Sequence, residues 1–186
     1  MSEAFKKFLK QYNATGRERG DGFCPDHFIG MNENEKTTAN EMLAKIANKG
    51  DSTAIEGLGL LATQESINEL LQLLKDTNQS SSIHLSAASS LWKATNDLRF
   101  QDKLISFLSS TEPRIRMRAA DELRFTPSSE ELLESYSNLL AHESDKKTRQ
   151  AAALGIMQCI GLLNGPTDIG ASYIDIFRDL ADTNSK

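Results

Sequence analysis

Apolar residues recur along most of the chain at the three- to four-residue spacing of an amphipathic α-helix. No stretch sustains the alternation of apolar and polar residues that is typical of a strand, so the sequence predicts an all-α fold. The predicted helices span about residues 3–12, Asn32 to Lys49, 51–61, 63–76, 81–95, 97–109, 112–124, 128–141, 145–163 and 168–182.

Polar residues and glycines mark several of the predicted helix ends. Asn32 followed by Glu35 has the spacing of a capping box, in which both side chains accept hydrogen bonds from backbone amides at the helix start. Between the first helix and Asn32, several glycines and Pro25 predict an irregular segment. Gly57 and Gly59 lie within one predicted helix, which indicates close packing of neighbouring helices.

The helices from residue 51 onward repeat. Shifts of 33, 32 and 33 residues align a column of small residues (Ala54, Ala87, Ala119, Ala152) and a column of larger ones (Leu58, Leu91, Leu123, Ile156). The small residue allows two helices to approach closely, and the larger residue four positions later fills the space between them. These columns identify the first helix of each repeated pair.

The second helices of the pairs show apolar stripes in the same register. The aligned columns are Ile67, Phe100 and Leu132; Leu71, Leu104 and Tyr136; and Leu74, Phe107 and Leu139, with Tyr173, Phe177 and Leu180 at the same spacing in the last pair. Because such a pair cannot bury its apolar faces alone, neighbouring pairs must stack. We therefore predict a right-handed α-solenoid of about four helix pairs at residues 51–186 (about 51–76, 81–109, 112–141 and 145–182), capped by residues 1–50.

One segment carries a family resemblance. The run from Glu112 to Leu123, EPRIRMRAADEL, resembles the HEAT-repeat pattern of an acid and proline, an aliphatic residue, an arginine, two alanines and a leucine. Residues 145–153 repeat this pattern more loosely, and residues 81–91 keep the alanine and leucine but have His84 at the arginine position. The resemblance covers residues 51–182 and implies that Arg116 and Arg149 bond structurally to neighbouring units.

Composition narrows the classes of function. The net charge of −5 disfavours general nucleic-acid binding, and no apolar run is long enough to cross a membrane. Two cysteines cannot form a disulfide framework, and together with the absence of a signal-peptide pattern they favour a cytoplasmic location. The Trp92 side chain is compatible with either the core or the surface.

The sequence offers no complete catalytic or metal-binding constellation, so we expect a protein that is not an enzyme and needs no cofactor. Cys24 and His27 have the spacing of two metal ligands but lack a second pair, and we expect Cys24 to be buried. The dipeptide His142-Glu143 resembles one of those in deoxyhypusine hydroxylase, a HEAT-repeat metal enzyme, but that family requires several such pairs. This chain has one.

Acidic residues recur on the second helices. The repeat shifts align Glu69, Asp102 and Glu134, and Glu65 and Glu130 lie one turn earlier on the same side. We call these five residues the acidic stripe. In HEAT-like arrays the second helices line the concave face, so the resemblance implies an acidic concave surface, interrupted by Lys103, that would attract a basic protein. Ordinary solvation of helix surfaces is the alternative explanation.

The sequence therefore favours a protein-binding module. The chain resembles the small HEAT-like immunity proteins that bacteria encode beside polymorphic or contact-dependent toxins, which implies that the acidic stripe binds and neutralises a basic toxin domain. A general HEAT-repeat adaptor or scaffold is the alternative. A third hypothesis, an enzyme similar to the HEAT-like DNA glycosylases, needs a cationic groove, which the net charge disfavours.

Overall fold

The computed structural model describes residues 1–165, and this part of the chain is entirely helical, without a strand. The predicted all-α fold is therefore confirmed over these residues. The α-helices are α1 Glu3–Tyr12, α2 Gly16–Gly20, α3 Glu33–Ala47, α4 Ser52–Leu61, α5 Gln64–Lys75, α6 Ser81–Thr95, α7 Leu98–Ser106, α8 Pro113–Leu123, α9 Glu130–His142 and α10 Lys146–Cys159, and the short 3-10 helices are Pro25–His27 and Phe107–Ser109.

Three predictions of secondary structure differ from the structure. The segment expected to be irregular contains α2 and a 3-10 helix, and the helix predicted over 97–109 continues after Ser106 as a 3-10 turn. The helix predicted over 145–163 ends at Cys159, followed by Gly161 with a φ of 77°, a conformation that favours glycine. The predicted helix over 168–182 lies outside the described residues.

Side-chain caps fix where most helices begin. The predicted capping box is confirmed, since Asn32 Oδ1 accepts from the Glu35 amide at 3.0 Å and Glu35 Oε2 accepts from the Asn32 amide at 3.1 Å. The other helices whose N-cap side chain accepts a backbone hydrogen bond are capped by Ser2, Asp51, Thr63, Ser80, Ser129 and Asp145. Each cap satisfies an amide that has no partner inside its helix.

The chain divides into two compact units, Met1–Phe100 and Gln101–Lys186, and the division falls within α7. In the first unit, α4 packs against α3, α5 and α6. In the second unit, α10 packs against α8 and α9, and the 3-10 turn at Phe107–Ser109 packs against the same two helices. Within each unit, the first helices of successive predicted pairs thus contact each other, α4 with α6 and α8 with α10.

The repeated small and large columns form the centre of each unit. Ala54, Ala87, Ala119 and Ala152 are all 0% exposed, as are Leu58, Leu91 and Leu123, whereas Ile156 is half-buried. The burial that close helix packing predicts is confirmed for all four alanines and for three of the four larger residues. Trp92, which the sequence left open, is buried beside Leu91.

An aromatic cluster joins α1 to the irregular segment that precedes α3. The Phe8 ring is fully buried, and its centroid lies 5.5–5.8 Å from the rings of Phe5, Tyr12, Phe23 and Phe28. Aromatic rings at this separation attract each other beyond the burial of their area. The glycine-containing segment before α3 is therefore anchored by its two phenylalanines, although its backbone is irregular.

Gly59 lies where α4 meets α6. A Cβ atom at this position would stand 2.8 Å from the Ser90 Cβ and 3.1 Å from the Ser90 Cα and carbonyl oxygen. At Gly57, by contrast, an added Cβ meets the ends of the Phe23 and Leu43 side chains at 2.9–3.3 Å. The predicted role of both glycines in close packing is confirmed, and it is stricter at Gly59 because Ser90 contributes backbone atoms.

We expect Gly59→Ala to lower the free energy of unfolding by about 2 kcal/mol, because the Ser90 backbone cannot rotate away from the new methyl group. Gly57→Ala should cost less, since side-chain ends can shift. Urea denaturation of both variants measures the difference. Gly20→Ala is the control, because nothing lies within 4 Å of an added Cβ there. Equal losses at Gly59 and Gly20 would contradict the packing argument.

Candidate functional site

The five residues of the acidic stripe lie on three helices. Glu65 and Glu69 are on α5 in the first unit, and Asp102 on α7 belongs with Glu130 and Glu134 on α9 to the second. Glu69 is half-buried and the other four side chains are exposed. Within residues 1–165, none of these carboxylates forms a hydrogen bond or an ion pair.

Helix position separates these acids into two groups. Glu65 and Glu130 lie in the first turns of α5 and α9, where a negative charge interacts favourably with the helix dipole. Glu69, Asp102 and Glu134 lie beyond the first turns of their helices. The dipole therefore accounts for the first two acids and leaves the other three without a local structural reason.

The buried line of α5 runs one residue earlier than the repeat alignment predicts. Ser66, Leu70 and Leu73 are at most 2% exposed, whereas the aligned residues Ile67, Leu71 and Leu74 are half-buried. Ser66 can be buried because its hydroxyl donates to the Thr63 carbonyl oxygen at 3.0 Å. An apolar pattern could not reveal this position, since serine is polar.

This shift changes the register of Glu69. Asp102 lies two residues after buried Phe100, and Glu134 lies two residues after buried Leu132. Glu69, by contrast, lies three residues after buried Ser66. Lys103 likewise lies three residues after Phe100, so Glu69 on α5 corresponds to Lys103 on α7. The structure thus gives Asp102 and Glu134 equivalent positions on α7 and α9, and gives Glu69 a different one.

The Lys103 side chain packs over an aromatic ring of the following turn. Its Nζ lies 5.3 Å from the centroid of the Phe107 ring, a cation–π contact between residues one turn apart. Lys103 is one residue after Asp102 and therefore about 100° further around α7. Among the described residues, Lys103 forms no ion pair with Asp102.

A groove of about 390 Å³ lies between α7 with its 3-10 turn and α9, within the second unit. Ile105, Leu108 and Leu139 provide apolar lining, and Ser135, Asn138 and His142 provide polar lining. We call this the α7–α9 groove. No sequence pattern indicates this groove, because its shape depends on the 3-10 turn that follows α7.

An ion pair between half-buried Arg116 and buried Glu143 is part of the lining of the α7–α9 groove. Glu143 is 3% exposed and accepts from Arg116 through Oε2 to Nε at 2.6 Å and Oε1 to Nη2 at 2.9 Å. Glu143 Oε1 also accepts from the amides of Ser144 and Asp145, at 2.9 and 2.8 Å. The Arg116 guanidinium is the main cause that holds the pKa of Glu143 below its usual range.

Arg116 and Arg149, which stand at the same position of the repeat, make structural hydrogen bonds. Arg116 Nη1 donates to the Ser110 carbonyl oxygen at 2.7 Å, and Arg149 Nη1 donates to those of Leu140 and Glu143 at 2.6 and 3.1 Å. The expected structural role of these arginines is confirmed. The sequence analysis did not predict that Arg116 pairs with Glu143, because the two residues are far apart in sequence.

The histidines lie apart from one another and bond to nearby backbone. His27 Nδ1 accepts from the Cys24 amide at 2.8 Å, His84 Nε2 lies 2.8 Å from the Asp76 carbonyl oxygen, and His142 Nδ1 lies 2.9 Å from that of Asn138. The expectation that Cys24 is buried is wrong, because its side chain is exposed beside the 3-10 helix. Among residues 1–165, no group of three or more potential metal ligands is present.

The comparisons with known proteins add no relative. The chain matches no protein-family model, no curated protein and no solved structure. In the described part of the chain, no helix combines the length and the apolar character needed to span a bilayer.

Proposed function

We propose that this chain is a HEAT-like protein-binding module without catalytic activity, built as a right-handed solenoid of about four helix pairs behind an N-terminal cap. The packing within each unit supports this architecture, since α4 contacts α6 and α8 contacts α10. The fully buried alanine at the same position of each pair also supports it. A repeated close approach of this kind is the basis of stacked helical repeats.

The partner that we propose is a basic protein domain that contacts the acidic stripe. The observation that carries this proposal is the equivalent placement of Asp102 and Glu134, exposed on neighbouring second helices and without an ion pair among the described residues. Free carboxylates on one surface attract a cationic partner and accelerate its association.

The particular role that we propose is that of an immunity protein, which binds a cognate bacterial toxin domain and blocks its active site. The resemblance to small acidic HEAT-like immunity proteins supports this role, as does the net charge of −5. A cytoplasmic location is part of the proposal, and the free Cys24 and Cys159 thiols are typical of a reducing compartment.

A second candidate function is that of an adaptor that binds an extended peptide. The observation that favours it is a groove of about 340 Å³ in the first unit, lined by Ile67, Leu71 and Phe100 among others. Such a surface would select apolar side chains rather than charge. An adaptor would therefore bind several partners with little dependence on ionic strength.

Co-expression with the product of the neighbouring gene tests the immunity proposal directly. We expect that product to be toxic alone, to be neutralised by this chain, and to form a stoichiometric complex with it. A harmless gene product, or a toxic one that the chain neither binds nor neutralises, would contradict the immunity role. Several weak partners would favour the adaptor.

Charge reversal tests the acidic stripe in that complex. We expect Glu69→Lys, Asp102→Lys and Glu134→Lys together to weaken affinity about 100-fold at low salt, with a smaller effect at high salt because ions screen exposed charges. Isothermal titration calorimetry at two ionic strengths provides the measurement.

A matched control separates the site from the net charge. Glu18, Asp21 and Glu41 are exposed acids of the first unit that lie outside the stripe, and their replacement by lysine changes the net charge by the same amount. We expect these control substitutions to change affinity severalfold at most. If both triple variants weakened binding equally, the acidic stripe would have no specific role.

A further inference from the structure

The floor of the α7–α9 groove contains three apolar residues within a lining that also includes polar and charged side chains. Leu108 and Leu139 are 6% and 8% exposed, and Ile105 beside them is half-buried. Asn138 and His142 are exposed along the side formed by α9. The volume of about 390 Å³ is large enough to accept a side chain and part of a backbone.

Three carboxylates lie one helical turn before residues of this groove. On α9, Glu131 precedes Ser135 by four residues and Glu134 precedes Asn138 by four. On α7, Asp102 precedes Ile105 by three residues. Since residues three or four apart share a helix face, the acids of both helices border the groove. We call Asp102, Glu131 and Glu134 the acidic rim.

The cations near the groove do not neutralise this rim. Arg116 lines the groove, but its guanidinium donates two hydrogen bonds to the Glu143 carboxylate, which neutralises its charge. The Lys103 ammonium is held over the Phe107 ring. None of the three rim carboxylates has an ion-pair partner in the part of the chain that the structure describes.

We infer that the α7–α9 groove binds a protein segment in which an apolar side chain of leucine or phenylalanine size lies beside lysine or arginine residues. The apolar side chain would cover Leu108 and Leu139, and the basic side chains would pair with the acidic rim. Burial of an apolar anchor supplies affinity, while the charges select the segment and speed its binding. This inference rests on the proposed function and specifies the chemistry of the partner.

Synthetic peptides test the inference with the full chain. The first probe alternates leucine with lysine, the second has every leucine replaced by serine, and the third has every lysine replaced by glutamate. We expect the leucine–lysine peptide to bind at least about tenfold more tightly than the other two, as measured by fluorescence anisotropy. Amide NMR shifts on its addition should cluster at Ile105, Ser135, Asn138 and His142.

Two variants probe the floor of the groove and the acidic rim separately. Ser135→Tyr fills the groove without removing an acid, and Ser137→Tyr is its control because Ser137 is exposed on α9 outside the groove lining. Glu131→Gln with Glu134→Gln removes two charges, and Glu41→Gln on α3 is a control for substitution of an exposed acid. We expect the two groove variants to lose at least about tenfold in peptide affinity and the controls to bind as the wild type does.

The outcomes distinguish this inference from the proposed function. If the serine–lysine peptide bound as tightly as the leucine–lysine peptide, the apolar groove would be excluded while an acidic binding surface remained. Absence of binding by every peptide, or full binding by Ser135→Tyr, would also overturn the groove. If the groove bound its peptide but charge reversal left the protein partner's affinity unchanged, the proposed function would fail instead.

Discussion

Gly155→Ala is expected to destabilise the protein by about 3 kcal/mol, although alanine normally favours a helix interior more than glycine does. A Cβ atom on Gly155 of α10 would stand 2.5 Å from both Cε atoms of the Tyr136 ring and closer still to its Cζ. Real Cβ atoms do not approach other heavy atoms so closely, so the ring or the helix must move.

The Tyr136 ring has little freedom to move. Its side chain is 1% exposed, and its hydroxyl donates to the Ala120 carbonyl oxygen at 2.8 Å. Burial of the phenol raises its pKa well above the usual value, so this hydroxyl stays protonated as a donor at any ordinary pH. Moving the ring away from α10 would break this hydrogen bond and leave a buried carbonyl without it.

Thermal denaturation should show a fall in Tm of roughly 6–12 °C for Gly155→Ala. The matched experiment introduces the same substitution into Tyr136→Leu, which removes the ring atoms that clash. In that background we expect Gly155→Ala to cost less than about 1 kcal/mol, because the two sites are in contact and not independent. A loss of equal size in both backgrounds would show that the ring is not the cause.

The helices and their shared small-residue contacts could be predicted because local spacing encodes them. Ala54, Ala87, Ala119 and Ala152 are each followed four residues later by a larger apolar residue, a pattern that depends only on helical periodicity. The structure buries all four alanines completely. Helix starts were equally readable, since a cap such as Asn32 acts on amides within three residues of itself.

The parts that the sequence did not predict depend on contacts with a polar or distant residue. Ser66 is buried on α5 because Thr63 satisfies its hydroxyl, so the apolar pattern placed the buried face at Ile67 instead. The partner of Arg116 is Glu143, directly after the C-terminal end of α9, and helical spacing carries no information about that pairing.

The candidate site was predictable in part for the same reason. Sequence spacing identified Asp102 and Glu134 as repeated acids, and the structure leaves both exposed in equivalent positions. The α7–α9 groove beside them depends on how a 3-10 turn meets another helix, which is a tertiary property. A sequence repeat can therefore predict which acids recur on the surface, whereas it cannot predict the shape of the groove beside them.

The ion pair between half-buried Arg116 and buried Glu143 gives the second large expected effect. Glu143→Ala should lower the free energy of unfolding by about 3 kcal/mol, because it leaves a guanidinium that is only 17% exposed without its counter-charge. The amides of Ser144 and Asp145 would lose the same acceptor. We do not expect Arg116→Lys to preserve stability, since lysine cannot reproduce the two parallel hydrogen bonds to the carboxylate.

The charge of Glu143 predicts a specific pH dependence. The hydrogen bond from Arg116 lowers the pKa of Glu143 in the folded protein, so the unfolded chain takes up a proton here first as the pH falls. The stabilisation is complete above the pKa of an unfolded glutamate, about 4.3, and is lost as the pH falls further through the folded-state value. Above that range the contribution does not change with pH.

Urea unfolding of wild type and Glu143→Gln between pH 7 and pH 3 measures this contribution. We expect the difference in unfolding free energy to be largest and constant near neutral pH and to shrink below about pH 4, because acid neutralises the wild-type carboxylate that the variant lacks. Glu41→Gln, an exposed acid on α3, should differ from wild type by less than about 0.5 kcal/mol. A difference for Glu143→Gln that stayed the same down to pH 3 would mean that shape and hydrogen bonding, and not charge, hold the turn after α9.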